Sequence, residues 1–217
     1  EQIAGLKFHT MISYYIISSY LFQLEKSAEI SRQMTGMLRN GTFSKYMVIP
    51  VQTQGYFVAM EAGKIAFSAG IGFLATFLWF YLFRIPFVYT ANIKILLCGS
   101  IMVVLGLLFM ALLNYFLGIL TLKFKEISIF LMIKDNLSAF VTGAVIPLAL
   151  LPEWMTAGMR FLPFYYVTYL PSMLFIGKCE EEAVTGLIVL GVWCMVFLVL
   201  NQVTYEHDRI KYDGAGI

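Results

Sequence analysis

Five stretches of this 217-residue chain are apolar over a length close to the thickness of a bilayer, and that limits the folds open to it more than any other feature. A hydrocarbon core of about 30 Å takes roughly 20 helical residues at about 1.5 Å each. The runs lie at about 9–24, 55–83, 95–122, 127–148 and 183–203. The first, HTMISYYIISSYLFQL, is the shortest and is flanked by polar residues. Composition agrees, with 60% hydrophobic residues, 13% charged residues and a mean hydropathy of +0.80. A soluble domain carries roughly 25% charged residues. The chain reads as an all-α, polytopic membrane protein, with a single transmembrane domain over residues 1–217.

A sixth apolar stretch, Trp154 to Ile176, has the length of a span but contains Pro163 and Pro171, and Pro147 and Pro152 precede it. Proline removes a backbone donor and clashes with the preceding turn. These four prolines are expected to break residues 147–178 into a re-entrant or interfacial hairpin, with a proline-kinked full span as the alternative.

Charge placement orients the spans. With the loop 25–50 inside, Lys26, Arg32, Arg39, Lys45, Lys123, Lys125, Arg209 and Lys211 lie within, against Lys7, Arg84, Lys94, Arg160 and Lys178 outside. That is a modest bias of the sign the positive-inside rule requires. Five spans put a tail from Tyr205 inside and Glu1 outside. A chain with no signal peptide and an external first residue is expected to have one further N-terminal helix, six in all.

Several chemistries are excluded. Fifteen basic against thirteen acidic residues, net +2, provide no field for nucleic acid. His9 and His207 lie at opposite ends of the chain, so no metal site or Ser-His-Asp set assembles from them. The Gly-Lys pairs Gly63-Lys64 and Gly177-Lys178 lack the upstream glycine of a phosphate loop, having Val58 and Ser172 there. No catalytic residue, metal or cofactor is therefore assigned, and the chain is not expected to be an enzyme. Cys98, Cys179 and Cys194 read as packing residues.

Ionisable residues inside spans are the pathway candidates, since a charge at the bilayer centre costs about 3 kcal/mol on the insertion scale. Glu61 and Lys64, three residues apart, can pair on one helix face. Lys134 and Asp135 are adjacent and cannot both face one pore; snorkelling to the interface and a polar contact in a cavity are both open. Ala62, Ala66 and Gly70, with Ser68, Ala69 and Gly72 alongside, form a small-residue ridge suited to close helix packing.

The loop 27–50 (SAEISRQMTGMLRNGTFSKYMVIP) is more specific. Ile30, Met34, Met37 and Leu38 recur at helical spacing, Arg32 and Arg39 take the other side, and Gly41 ends the helix. A short amphipathic helix here is either an interfacial anchor or a docking element for a cytosolic partner.

At this loop and at the proline-rich stretch the chain resembles the permease subunits of type-2 ATP-binding-cassette (ABC) exporters. The residues that carry the resemblance are LRNGTFSKYMVIP at 38–50 and TGAVIPLALLPEWMTAGMRFLPFYYVTYLPSMLFIGK at 142–178. It implies a half-transporter in a bacterial plasma membrane that pairs with a second permease, identical or homologous. Separate ATPase subunits, which bind ATP and Mg, would dock on a coupling helix at about Ile30 to Gly41. Met34, Met37, Leu38, Arg39 and Phe43 are the expected docking patch. The outer hairpin would close the exit, with Tyr165 and Tyr166 as further pathway or gating candidates. A wall rich in Tyr, Phe and Met suits a lipid, an amphipathic natural product or a peptide as cargo. The alternative is an ion-coupled secondary transporter that uses Lys134, Asp135 and the broken helices.

Overall fold

The computed structural model describes residues 2–3, 6–48, 50–84, 87–124, 126–141, 148 and 151–211. Apart from a two-residue antiparallel ladder, Gln2–Ile3 with Leu6–Lys7, its regular structure is helical among the described residues. The helices are α1 Phe8–Leu24, α2 Ala28–Arg39, α3 Ser44–Val48, α4 Thr53–Phe83, α5 Ile93–Ile119, α6 Ser128–Val141, α7 Glu153–Met159, α8 Tyr169–Phe175 and α9 Ala183–Asp208.

Among the described residues three helical segments are long and apolar enough to cross a bilayer: Thr53–Phe83, Ile93–Leu122 and Glu180–Asp208, the last two including flanking 3-10 turns. At 31 residues, α4 is about 46 Å long, more than a bilayer core requires. The first run yields only the 17 residues of α1, and the described part of the fourth run yields the 14 of α6. The fifth run continues as helix five residues beyond the expected end at Val203.

The α5 helix is the hub. Along its length it packs against α9, where Phe109 meets Phe197 edge to face at 5.7 Å, and Phe109 also meets Phe164 of the 3-10 turn Pro163–Tyr166 at 5.8 Å. Toward one end its core residues Met102 and Phe109 join Tyr166, Leu170 and Leu190; toward the other, Ala111, Tyr115 and Ile119 join Ile30, Met34 and Leu38 of α2. Close approach requires glycine. A Cβ on Gly106 would lie 3.1 Å from the Val167 Cα, and one on Gly186 would lie 2.6 to 2.9 Å from Met102, Leu170 and Tyr166.

The proline-rich stretch is broken into short pieces: α7, a 3-10 turn at Pro163–Tyr166, and α8. The prolines do this differently from the expectation. Pro152 caps the N-terminus of α7, Pro163 opens the 3-10 turn, and Pro171 sits inside the first turn of α8 instead of ending a helix. N–H groups of a first turn have no intrahelical acceptor, so a missing donor costs nothing there. What ends α8 is Gly177 at φ 73°, where the Lys178 N–H reaches Met173 O at 2.9 Å. Pro147 lies outside the described residues.

The small-residue ridge on α4 packs along only part of its width. Ala62, Ala66 and Gly70 face outward, and a Cβ on Gly70 would meet nothing within 4 Å. The adjacent stripe does the packing: the Tyr20 hydroxyl donates to Ala69 O at 2.8 Å, and its ring lies 2.8 Å from where a Gly72 Cβ would stand. The helix turns the larger gap, where a ring fits, toward α1. Cys98, Cys179 and Cys194 are free thiols.

Candidate functional site

The site built with most care is the seat of α2 on α5. Glu25 accepts from the Ser27 N–H at 3.0 Å and from the Ser27 hydroxyl, which fixes the turn between α1 and α2. Asn114, fully buried inside the apolar α5, donates to the Ser27 hydroxyl at 2.7 Å and to Met110 O at 3.0 Å. Its carbonyl accepts from Ser31 at 3.5 Å, and one further turn along Thr35 meets Thr121 hydroxyl to hydroxyl at 3.0 Å. Ser27, Ser31 and Thr35, spaced by four, make a polar stripe on α2 beside the apolar stripe Ile30, Met34 and Leu38. Both stripes face α5.

Gly118 allows this contact. A Cβ there would stand 2.9 Å from Met34 Sδ and 3.0 Å from Met34 Cβ, closer than side chains approach. Gly41, at φ 70°, ends α2 in the left-handed region, and the chain turns so that Phe43 is buried beside Phe57 and Tyr46. A salt bridge of 2.8 Å from Arg39 to Glu126 ties the end of α2 to the loop before α6. Hydrogen bonds from Ser128 first, and Arg39 with them, hold the Glu126 carboxyl at a pKa of about 2.

This geometry corrects the expected docking patch. Met34, Leu38 and Phe43 are each 0% exposed and form core, so they offer no surface to a partner. Met37 is half-buried, and Arg39 is exposed but engaged with Glu126. The free face of α2 is polar, with Glu29, Arg32 and Asn40 exposed and Gly36 opening onto empty space. The amphipathic pattern identified the helix correctly, but its apolar face points into the bundle, as burial of apolar area dictates.

The pathway candidates do not gather at one place. Glu61 is 0% exposed, and its carboxylate has Lys64 at 3.4 Å as its ion partner. Lys134 is buried at 6% exposure and pairs with its neighbour Asp135 at 2.6 Å, while Asp135 is half exposed. The long lysine side chain folds back onto the adjacent carboxylate. Tyr165 and Tyr166 belong to the other end of the bundle. Tyr166 donates to Arg160 O at 2.9 Å, Tyr165 donates to Glu182 at 3.1 Å, and Arg160 bridges Glu182 at 2.7 Å. Burial, then the Glu182 charge, push the Tyr165 hydroxyl above its ordinary pKa. Among the described residues no group of His, Cys, Asp or Glu could hold a metal.

Asn114, Gly118 and Thr121 were missed by the reading of the sequence. The signal was there: a lone Asn within an apolar run needs a polar partner, and the partners lie at i, i+4 and i+8 in the loop.

A helical bundle with three membrane-length segments among the described residues, and an amphipathic loop helix seated on its central helix, defines a multi-pass membrane protein. Residues 1–216 match the family described as ABC-2 family transporter protein, and the chain belongs to that family. It is a membrane subunit of an ABC transporter, itself of a typically non-catalytic kind, that works with ATP-binding-cassette subunits. Comparisons with curated proteins and with solved structures found no match.

Proposed function

We propose that the chain is the permease half of an ATP-driven exporter that moves a lipid, an amphipathic natural product or a peptide out of the cytoplasm of a bacterial cell. In this reading it crosses the plasma membrane five times, with α1 and α6 among the spans, and pairs with a second permease. ATP and Mg are bound by the partner ATPase subunits.

The observation that carries the reading is the seat of α2. A helix whose inner face is bonded and packed into the hub cannot move alone, so a displacement imposed on its outer face carries α5 with it. Such a rigid connection can bias the bundle between two openings, provided the partner binds the two states unequally. Glu29, Arg32, Gly36, Met37 and Asn40 form the docking face. Ion coupling through Lys134 and Asp135 fits less well, because each already neutralises the other.

The test reverses charge on the outer face with R32E and E29K, each made singly. The expected result is loss of co-purification with the ATP-binding subunit and loss of cargo-stimulated ATP hydrolysis at unchanged thermal stability. Retained coupling in both variants would sink the docking assignment. For cargo, accumulation of a fluorescent lipid or amphiphile in inverted vesicles should require ATP. Transport of small inorganic ions alone would refute the cargo class.

A further inference from the structure

Two adjoining cavities at the loop end of the bundle, unused by the seat of α2, differ in chemistry. One, of about 330 Å³, is lined by polar residues including Gln54, Asn201, Glu206 and Arg209. The other, of about 260 Å³, continues from it between α4, α5 and α9, and its walls include Val58, Leu108, Leu112 and Leu198. Gln52, Gln54 and Gln202 line both. A polar chamber opening into an apolar groove is shaped for an amphiphile with its head at the membrane boundary.

Two residues that line the polar chamber carry buried polar atoms of opposite hydrogen-bonding sense that lack partners among the described residues. Asn201 is 0% exposed and its amide donates to Leu112 O at 3.1 Å, but its carbonyl Oδ1 has no partner among the described residues. The buried Nε2 of Gln54 likewise has no acceptor. A buried polar group left unpaired destabilises the fold until it finds a partner. The chamber also receives the N-terminus of the 31-residue α4, where the first intrahelical bond is Tyr56 N–H to Gln52 O and the N–H groups before it have no helical acceptor. Arg209 stacks over Tyr205 at 5.8 Å, and Glu206 accepts from Gln202 at 3.2 Å.

We propose that the two cavities hold one bilayer phospholipid with a phosphoethanolamine headgroup, its phosphate at Gln54, Arg209 and the start of α4, and its ammonium at Asn201 Oδ1 and Glu206. An acyl chain occupies the groove between α4, α5 and α9. The orphan donor and the helix N-terminus ask for an anion, while the orphan acceptor and Glu206 ask for a cationic N–H donor. Phosphoethanolamine carries both. Phosphocholine has no N–H and leaves Asn201 unpaired. The lipid is a resident of the fold, and the assignment is independent of which cargo is moved.

The experiment incorporates the purified protein into nanodiscs containing equal phosphatidylethanolamine and phosphatidylcholine of the same acyl chains, and reads retained lipid by native mass spectrometry. The ethanolamine lipid should be retained on the order of tenfold over the choline lipid, the size of one charge-assisted hydrogen bond. E206Q and N201L should each lower that preference severalfold, whereas Q54M and R209Q should lower retention of both lipids alike. Equal retention of the two lipids by the unmodified protein overturns the proposal, whether or not the variants fold, and so does an undiminished preference in both E206Q and N201L. A site that takes glycerophosphoethanolamine or inorganic phosphate as tightly as the lipid is a soluble-phosphate site, which overturns it too.

Discussion

Adding one methyl group to Gly118 tests whether α2 is held against α5 as closely as its packing implies. In G118A the new Cβ would stand 2.9 Å from Met34 Sδ and 3.0 Å from Met34 Cβ. The sulfur could swing away, but the Met34 Cβ is fixed to the α2 backbone, so the helix must move outward by several tenths of an ångström. Overpacking of this kind costs about 1–3 kcal/mol, and the shift also stretches the Ser27–Asn114 and Thr35–Thr121 bonds. M34A alone removes a fully buried side chain and costs about 2–5 kcal/mol. Independent effects would sum to roughly 3–8 kcal/mol. The double variant should fall short of that sum by about 0.5–3 kcal/mol, because alanine at 34 removes the Sδ and Cγ that the new methyl meets at 2.9 and 3.4 Å and leaves only the 3.0 Å contact with its own Cβ. Reversible unfolding in mixed micelles measures the cycle. ATP hydrolysis by the assembled transporter should fall in G118A and recover in part in the double variant. A neutral G118A, or strict additivity, would refute the close approach.

The tether from Arg39 to Glu126 makes a pH prediction. The Glu126 carboxyl is depressed to about 2, chiefly by Ser128 and also by Arg39, so its contribution is fully present above the ordinary carboxylate value and is lost as pH falls from about 4.5 toward 2. Hydrogen exchange at the end of α2 should be flat from pH 5 to 8 after correction for intrinsic rates and should quicken below that window, and E126Q should abolish the acid-dependent component. At the end of the bundle opposite α2, Y165F should cost about 0.5–1.5 kcal/mol in thermal unfolding, with the loss absent once E182A has removed the acceptor; equal losses in both backgrounds would refute the Tyr165–Glu182 bond. At Glu61, E61Q removes a charge buried at 0% exposure with a single ion partner, and thermal stability should hold or rise, since a desolvated ion pair often fails to recover its own cost. A clear loss of stability in E61Q would show that the pair contributes to the fold.

Some of this was legible in the chain itself. The long apolar runs from Gly55, Ile95 and Ala183 specify membrane helices with no help from their neighbours, because each satisfies its own backbone bonds and its length is set by the bilayer. The helix in the loop 25–50 was legible for a similar reason: the periodicity of Ile30, Met34 and Leu38 and the stop at Gly41 are local. Which way that helix faces was not. An apolar stripe says that something covers it, and only the packed bundle shows that the cover is Ala111, Tyr115 and Ile119 of α5 and not a partner. Prolines were read as interruptions, whereas their placement at the start of α7, the 3-10 turn and α8 follows from which N–H groups the tertiary path leaves free. Asn114 meets Ser27 across a sequence separation of 87 residues, and Tyr165 meets Glu182 only once the hairpin folds back. Sequence by itself determined where helices form and that they lie in a membrane, since those depend on local periodicity and solvent. Tertiary structure alone decided which faces are spent on the core and which stay free to meet a partner or a lipid, because that depends on contacts between residues far apart in the chain.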